Sequence, residues 1–186
     1  MSRSIAVRVS ESVVRTIHVE DGVASPLEML PILAAERMGE LLATELAALG
    51  FTRDGARVRR VEKDGLEVEV DLATATVTVK LGANQKVAEQ VELESRTYAG
   101  HEAKAREHLR DQAIGELDER VAAATEDLRK RITKQLEGRL ADLKQELDGA
   151  VGRATVAALT ERAGQLGKIE SVLADQAGNV TIRVKV

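Results

Sequence analysis

The stretch HEAKAREHLRDQAIGELDERVAAATEDLRKRITKQLEGRLADLKQELDGAVGRATVAALTERAGQL, residues 101–166, holds no proline and no aromatic side chain. Its apolar residues recur as Ile114, Leu117, Val121, Ala124, Leu128, Ile132, Leu136, Leu140, Leu143, Leu147, Val151, Ala154 and Ala158. Every step is three or four residues, so the whole series falls on one face of an α-helix. The mean step is about 3.67, the value of an eleven-residue repeat rather than a heptad, which predicts a straight or slightly right-handed seam. Opposite charges at helical spacing (Glu102 before Arg106, Glu116 before Arg120, Glu126 before Lys130, Asp127 before Arg131) favour the helix. At roughly 0.2–0.5 kcal/mol each they do not fix it. Gly149 and Gly152 mark the expected kink, and Gly167 the end.

Ahead of this helix the chain reads as strands. Ile5, Val7 and Val9 alternate with Ala6 and Arg8, and Val13, Arg15, Ile17 and Val19 with Val14, Thr16 and His18, which predicts two half-buried strands. Ser25-Pro26-Leu27-Glu28 has the form of a capping box, although Pro31 would interrupt a helix begun there. The main helix is therefore expected over residues 31–49, with Leu33, Met38, Leu41, Leu42, Leu46 and Leu49 as its apolar stripe and Gly50 as its stop. After Phe51 come three expected strands, 57–62, 66–71 and 75–81, the first two joined at Lys63-Asp64-Gly65, where Asp-Gly tolerates positive φ. One face is apolar and the other wet, the pattern of an antiparallel meander. Residues 85–98 fit helix and strand alike, with a strand from near Ala88 preferred. Residues 169–175 and 180–186 read as a terminal hairpin around Gln176-Ala177-Gly178-Asn179.

These elements define an α+β fold: a small antiparallel sheet covered by a helix, then a long helical, coiled-coil-like arm, then a C-terminal β-hairpin. By chain order the domains are a head at 1–99, the arm at 100–167 and the hairpin at 168–186. Composition narrows the function. The 186 residues carry a formal charge of -4, 31% charged residues and no cysteine, so disulfides and thiolate metal sites are excluded. Apolar runs fall short of the ~18 residues needed to cross a bilayer, and the N-terminus leads into strand alternation instead of a signal segment, so no membrane insertion and a cytoplasmic location are expected. With only Phe51 and Tyr98 as aromatics, stacking platforms for nucleic acid are nearly excluded, and nucleic acid is not an expected partner.

Candidate chemistry is sparse. His101 and His108 lie seven apart on one helical face near Glu107 and Asp111, but lack a third ligand fixed in space, and a solvated helix surface is the better reading. His18 has a strand position with no serine or cysteine near it in sequence. Arg57, Arg59, Arg60 and Lys63 form a small basic patch that could meet phosphate; the surrounding acids favour a solvated strand face. Arg129-Lys130-Arg131 sits among acids in the same way. Neither a glycine-rich phosphate loop nor a Gly-x-Ser-x-Gly elbow occurs. No catalytic, cofactor-binding or metal residue is therefore assigned, no cofactor is expected, and the chain is not read as an enzyme.

The wording of several stretches is familiar. Leu147-Asp148, Arg153-Ala154-Thr155, Ala157-Ala158-Leu159, Ala163-Gly164-Gln165-Leu166-Gly167, Ile169-Glu170, Asp175 through Gly178 to Val180-Thr181-Ile182-Arg183-Val184, His18-Val19-Glu20-Asp21-Gly22 and Leu30-Pro31-Ile32-Leu33 resemble small accessory components of bacterial FtsH ternary systems. Those loci pair a MoxR-type AAA ATPase with a von Willebrand A protein, an FtsH-like protease and several small α+β proteins. The resemblance implies a non-enzymatic interaction or adaptor subunit of an ATPase-associated system in conflict or quality-control biology, with the AAA ATPase or the von Willebrand A protein as partner. The alternative is a self-associating coiled-coil scaffold without an ATPase partner. On either reading the apolar seam, if left in water, predicts a homo-oligomer through the helical arm. The hairpin, about 100 Å from the start of a straight helix, is expected to lie out of reach of its own sheet.

Overall fold

A computed structural model of the chain describes residues 4–174 and 180–185. The expected turn at 176–179 lies outside them. In chain order the elements are β1 (Ser4–Pro26), α1 (Ala35–Ala48), β2 (Thr52–Asp54), β3 (Arg57–Val61), β4 (Leu66–Asp71), β5 (Thr76–Tyr98), α2 (Glu102–Leu166), β6 (Lys168–Ala174) and β7 (Val180–Lys185). Five strands form a sheet in the order β1-β5-β4-β3-β2, and β6 pairs with β7. The α+β class, the long helix and the terminal hairpin agree with the reading of the sequence. The chain divides into two compact units, one of Met1–Asp21 with Gly82–Lys134, the other of Gly22–Leu81 with Gln135–Val186. These units cut across chain order, since β1, β5 and α2 each contribute to both.

In the first unit β1 and β5 run antiparallel, for as numbers rise along β1 they fall along β5: Arg8 meets Glu94 at 2.8 Å and His18 Nδ1 lies 2.8 Å from Asn84 Oδ1. The two expected strands 4–9 and 13–19 are one. All their inward residues are odd-numbered, so the alternation never breaks phase, and Val7, Ile17 and Val19 are buried. What hid this is an inward carboxylate in the gap between them. Glu11 is held by Arg110 at 2.9 Å and Arg15 by Asp118 at 3.2 Å, both partners on α2. The same device carries β5 through its ambiguous stretch, where Gln85 accepts from Arg131 and Glu89 lies 3.5 Å from Arg120. Between these pairs Val91, Ala113 and Leu117 form a buried cluster with Val13 and Leu93 against it.

The seam of α2 therefore faces strands of its own chain. In this unit Leu109, Ala113, Leu117, Val121, Leu128 and Ile132 are at most 8% exposed. Ala113 takes the place expected for Ile114, which is 44% exposed. The ground for expecting self-association through the arm, an uncovered seam, is absent. Exposed ion pairs contribute only about 0.2–1 kcal/mol each, whereas a buried Leu, Ile or Val contributes roughly 1.5–3 kcal/mol. Burial thus holds the helix down, and the charges choose where along the strands it lies. Between Glu11 and Asp21 ten strand residues span about 33 Å. Between their partners Arg110 and Thr133, helix rise gives about 34 Å, so one register satisfies both ends.

In the second unit the meander forms as expected. Val58 lies opposite Val70, Val68 opposite Val79 and Leu66 opposite Leu81, and these six side chains are 4% exposed or less. The third strand begins at Thr76 and continues as β5, and the short β2 adds an edge that the sequence reading lacked. Asp71 Oδ1 accepts the N–H groups of Ala73 and Thr74 at 2.9 and 3.0 Å, closing the β4–β5 turn in which Ala75 takes a φ of 50°. The capping-box reading fails. Ser25 and Pro26 end β1, the Leu27 N–H continues the pairing onto the Ala75 carbonyl at 2.7 Å, and α1 starts only at Ala35, after Pro31. Its stop at Gly50, φ 86°, is as expected.

Met38, Leu42 and Leu46 of α1 are buried in this unit, as are Leu136, Leu143, Leu147, Ala150, Val151 and Ala154 of α2. α1 and α2 are joined by Arg37 to Glu161 at 2.9 Å and Arg153 to Glu45 at 2.6 Å. α2 passes Gly149 and Gly152 without interruption. Gly39 lets α1 approach, since a Cβ there would stand 2.9 Å from the Leu72 carbonyl oxygen. The hairpin does reach its own sheet's unit, because the meander shares that unit with the C-terminal half of α2 rather than with its start.

Candidate functional site

The second unit contains an apolar recess of about 760 Å3. Its floor is Val77 and Val79 of β5, and one wall is the α2 face bearing Leu140, Leu147, Val151, Val156 and Leu159. The other wall is Val23 of β1 with Leu27 and Leu30 of the following segment, and Val180 of β7 adds to the lining. The volume lies within the range of ligand and docking sites, roughly 300–1,000 Å3. Floor residues belong to the core, but the rim is unusual: Leu30 is 61% exposed and Val23 and Leu159 are 39% exposed. Polar groups at the margin are few, namely Ser25, Glu28, Lys144, Asp148 and Thr155. Gly152 also lines the recess, and nothing lies within 4 Å of where its Cβ would stand. The glycine expected to kink the helix instead leaves room beside it.

Near the β3–β4 turn lies a charged cluster. Strand alternation splits the basic patch of the sequence: Arg57 and Arg59 face solvent and pair with Glu69 at 3.1 Å and Glu67 at 2.8 Å, whereas Arg60 points to the core face. Its guanidinium donates to both Glu146 oxygens at 2.7 and 2.8 Å, to Glu62 at 2.9 Å and to the Leu49 carbonyl at 3.0 Å, and sits 4.6 Å from the centre of the Phe51 ring. Arg139 adds a contact to Glu62 and lies 3.6 Å from Asp64. The hydrogen bonds from Arg60 hold the Glu146 carboxyl below its usual range, and Glu146 in turn raises Arg60. With its cation matched by acids on the same face, this cluster is a built clamp between β3 and α2 rather than a phosphate site.

The remaining candidates stay apart. His18, His101 and His108 are exposed, and His18 is engaged by Asn84. Among the described residues no group of three His, Cys, Asp or Glu side chains is close enough to hold a metal. Arg129 pairs with Glu126 at 2.9 Å and Arg131 with Gln85. The chemistry available at the recess is therefore burial of apolar groups, with a few polar contacts at its margin. Sequence reasoning missed it because its walls come from four separated stretches, although exposed Leu30 beside Pro31 was a local sign. No helix among the described residues is long and apolar enough to cross a membrane. Searches of curated proteins and of solved structures return no match. A family model described as FtsH ternary system domain X5 matches residues 1–186, the full length of the chain, and the protein belongs to that family, as an accessory component of an FtsH ternary system.

Proposed function

We propose that the protein works by binding, as a non-enzymatic adaptor subunit that receives an apolar segment of the system's AAA ATPase or von Willebrand A protein in the recess of the second unit. The observation that carries this reading is the open apolar recess with exposed Leu30, Val23 and Leu159 at its rim. Apolar rims of this kind are rare on surfaces that meet only water and mark interaction sites. Membership of an FtsH ternary system family supports the class of partner. The scaffold alternative loses its main support, because the helical seam on which it rested is covered by the chain itself.

Gly152→Leu tests the reading with little risk to the fold. It places a side chain into open space at the recess and improves local helix propensity by close to 1 kcal/mol. Binding of the purified AAA ATPase and von Willebrand A protein of the same system is measured by calorimetry against wild-type and variant chains. One partner binds wild-type protein, and the variant binds it at least tenfold more weakly while melting no lower. Binding of neither partner, or equal binding by both chains, overturns the reading.

A further inference from the structure

Among the described residues β1 is the terminal strand of its sheet, with β5 as its neighbour. At 23 residues it is far longer than the 3–10 residues usual for strands, and long unpaired edges in monomers are normally shortened, bulged or covered. From position 8 to position 20 its outward side chains are Arg8, Ser10, Ser12, Val14, Thr16, His18 and Glu20, all exposed, with Val14 at 63%. The backbone phase follows from β5, where the Gln90 carbonyl accepts from Arg120 of α2 at 3.3 Å and so points away from β1. Even-numbered residues of this ribbon thus direct their N–H and C=O groups to the outer edges. On β5 that edge is interrupted by the Arg120 guanidinium.

We propose that the outer edge of β1 is an interface between two copies of this chain, paired antiparallel about Val14. In that register Val14 faces its own counterpart on the twofold axis, and Ser12 faces Thr16, Ser10 faces His18 and Arg8 faces Glu20, each of these three contacts occurring twice by the symmetry. Arg8 already meets Glu94 with its side chain 79% exposed, and a guanidinium has five donors to share between two carboxylates. A shift of two residues sets Arg8 against His18 and Glu20 against Ala6, losing both charge matches. A shift of one would turn each strand's inward side chains to the wrong face. The covering helices also fit. Each α2 touches β1 and β5 alike, so it lies over the middle of its ribbon. Two ribbons joined at the usual strand spacing put the helix axes about 9.6 Å apart, within the 8–10 Å of packed helices.

The chain has no cysteine, which makes the test direct. Opposed residues of a hydrogen-bonded antiparallel pair have Cα atoms about 5.5 Å apart, within disulfide reach. Val14→Cys therefore cross-links under mild oxidation at least tenfold faster than Ser10→Cys, whose counterparts lie about 26 Å apart in this register. Light scattering of the full chain gives a mass near twice 20.1 kDa. In a Glu94→Gln background, which leaves no like charge beside position 8, Arg8→Glu or Glu20→Arg alone weakens the dimer at least tenfold, and the double exchange returns it to within threefold of the background. A monomer at tens of micromolar, equal cross-linking at position 10, preferential cross-linking through Gln90→Cys on the β5 edge, or no rescue by the double exchange overturns the proposal.

Discussion

Breaking the Arg60–Glu146 pair from its two ends should have unequal costs. Arg60 is the more enclosed partner, 15% exposed against 32% for Glu146, and its Nε is buried without a hydrogen-bond partner. Glu146→Ala removes two charge-assisted bonds, each worth roughly 1.5–3 kcal/mol. It leaves a guanidinium held by Glu62 and one carbonyl in a place water reaches poorly. Discounting for what remains, the expected loss is about 2–3 kcal/mol. Arg60→Met keeps the aliphatic stem against Phe51 and frees Glu146 to turn into water, so its expected loss is about 1 kcal/mol or less. Urea unfolding followed by circular dichroism measures both, and the double variant gives the coupling. The pair also fixes a pH dependence. The folded pKa of Glu146 lies below its unfolded value, near 4.3; the stability this contributes is fully present above that value and is lost as pH falls through the folded pKa. The penalty of Glu146→Gln should accordingly shrink below about pH 4. Equal penalties from the two ends, a larger one for Arg60→Met, or one for Glu146→Gln that persists undiminished into acid would refute this account.

Ile132→Glu buries a carboxylate at a position 3% exposed and should cost at least about 4 kcal/mol, whereas Lys130→Glu on the exposed face should stay within about 0.5 kcal/mol; thermal melts separate them, and equal shifts would mean the helix register is wrong. Gly39→Val drives a side chain into the Leu72 carbonyl and should lose about 2 kcal/mol despite better helix propensity, which a neutral result in urea unfolding would contradict. Ala75→Gly relieves a positive φ and should gain up to about 1 kcal/mol; a fall in melting temperature would count against strain at that turn.

The seam of α2 was legible because its partners, being apolar, impose only a period, and a period survives without knowledge of what it packs against. The meander was legible for the same reason. β1 and β5 were cut short where Glu11 and Gln85 occupy inward positions, for a polar group on an inward face reads as a break unless its partner is known. Those partners, Arg110 and Arg131, stand 99 and 46 residues away. Arg60 looked like one member of a basic run until alternation sent it to the opposite face from Arg57 and Arg59. The recess had no sequence period, since it is a space between elements and not a property of any one.

The matched advance of helix and ribbon in the first unit constrains how chains of this kind can change length. One strand residue advances about as far as 2.2 helix residues, so an insertion in β1 and β5 must be answered in α2. Three helical turns, eleven residues, keep the seam in phase but equal five strand residues, an odd number that would turn every following side chain to the wrong face. The smallest insertion that preserves both phases is about ten residues in each strand with about twenty-two in the helix. Relatives should hold these three segments at constant length or lengthen all of them together in such blocks.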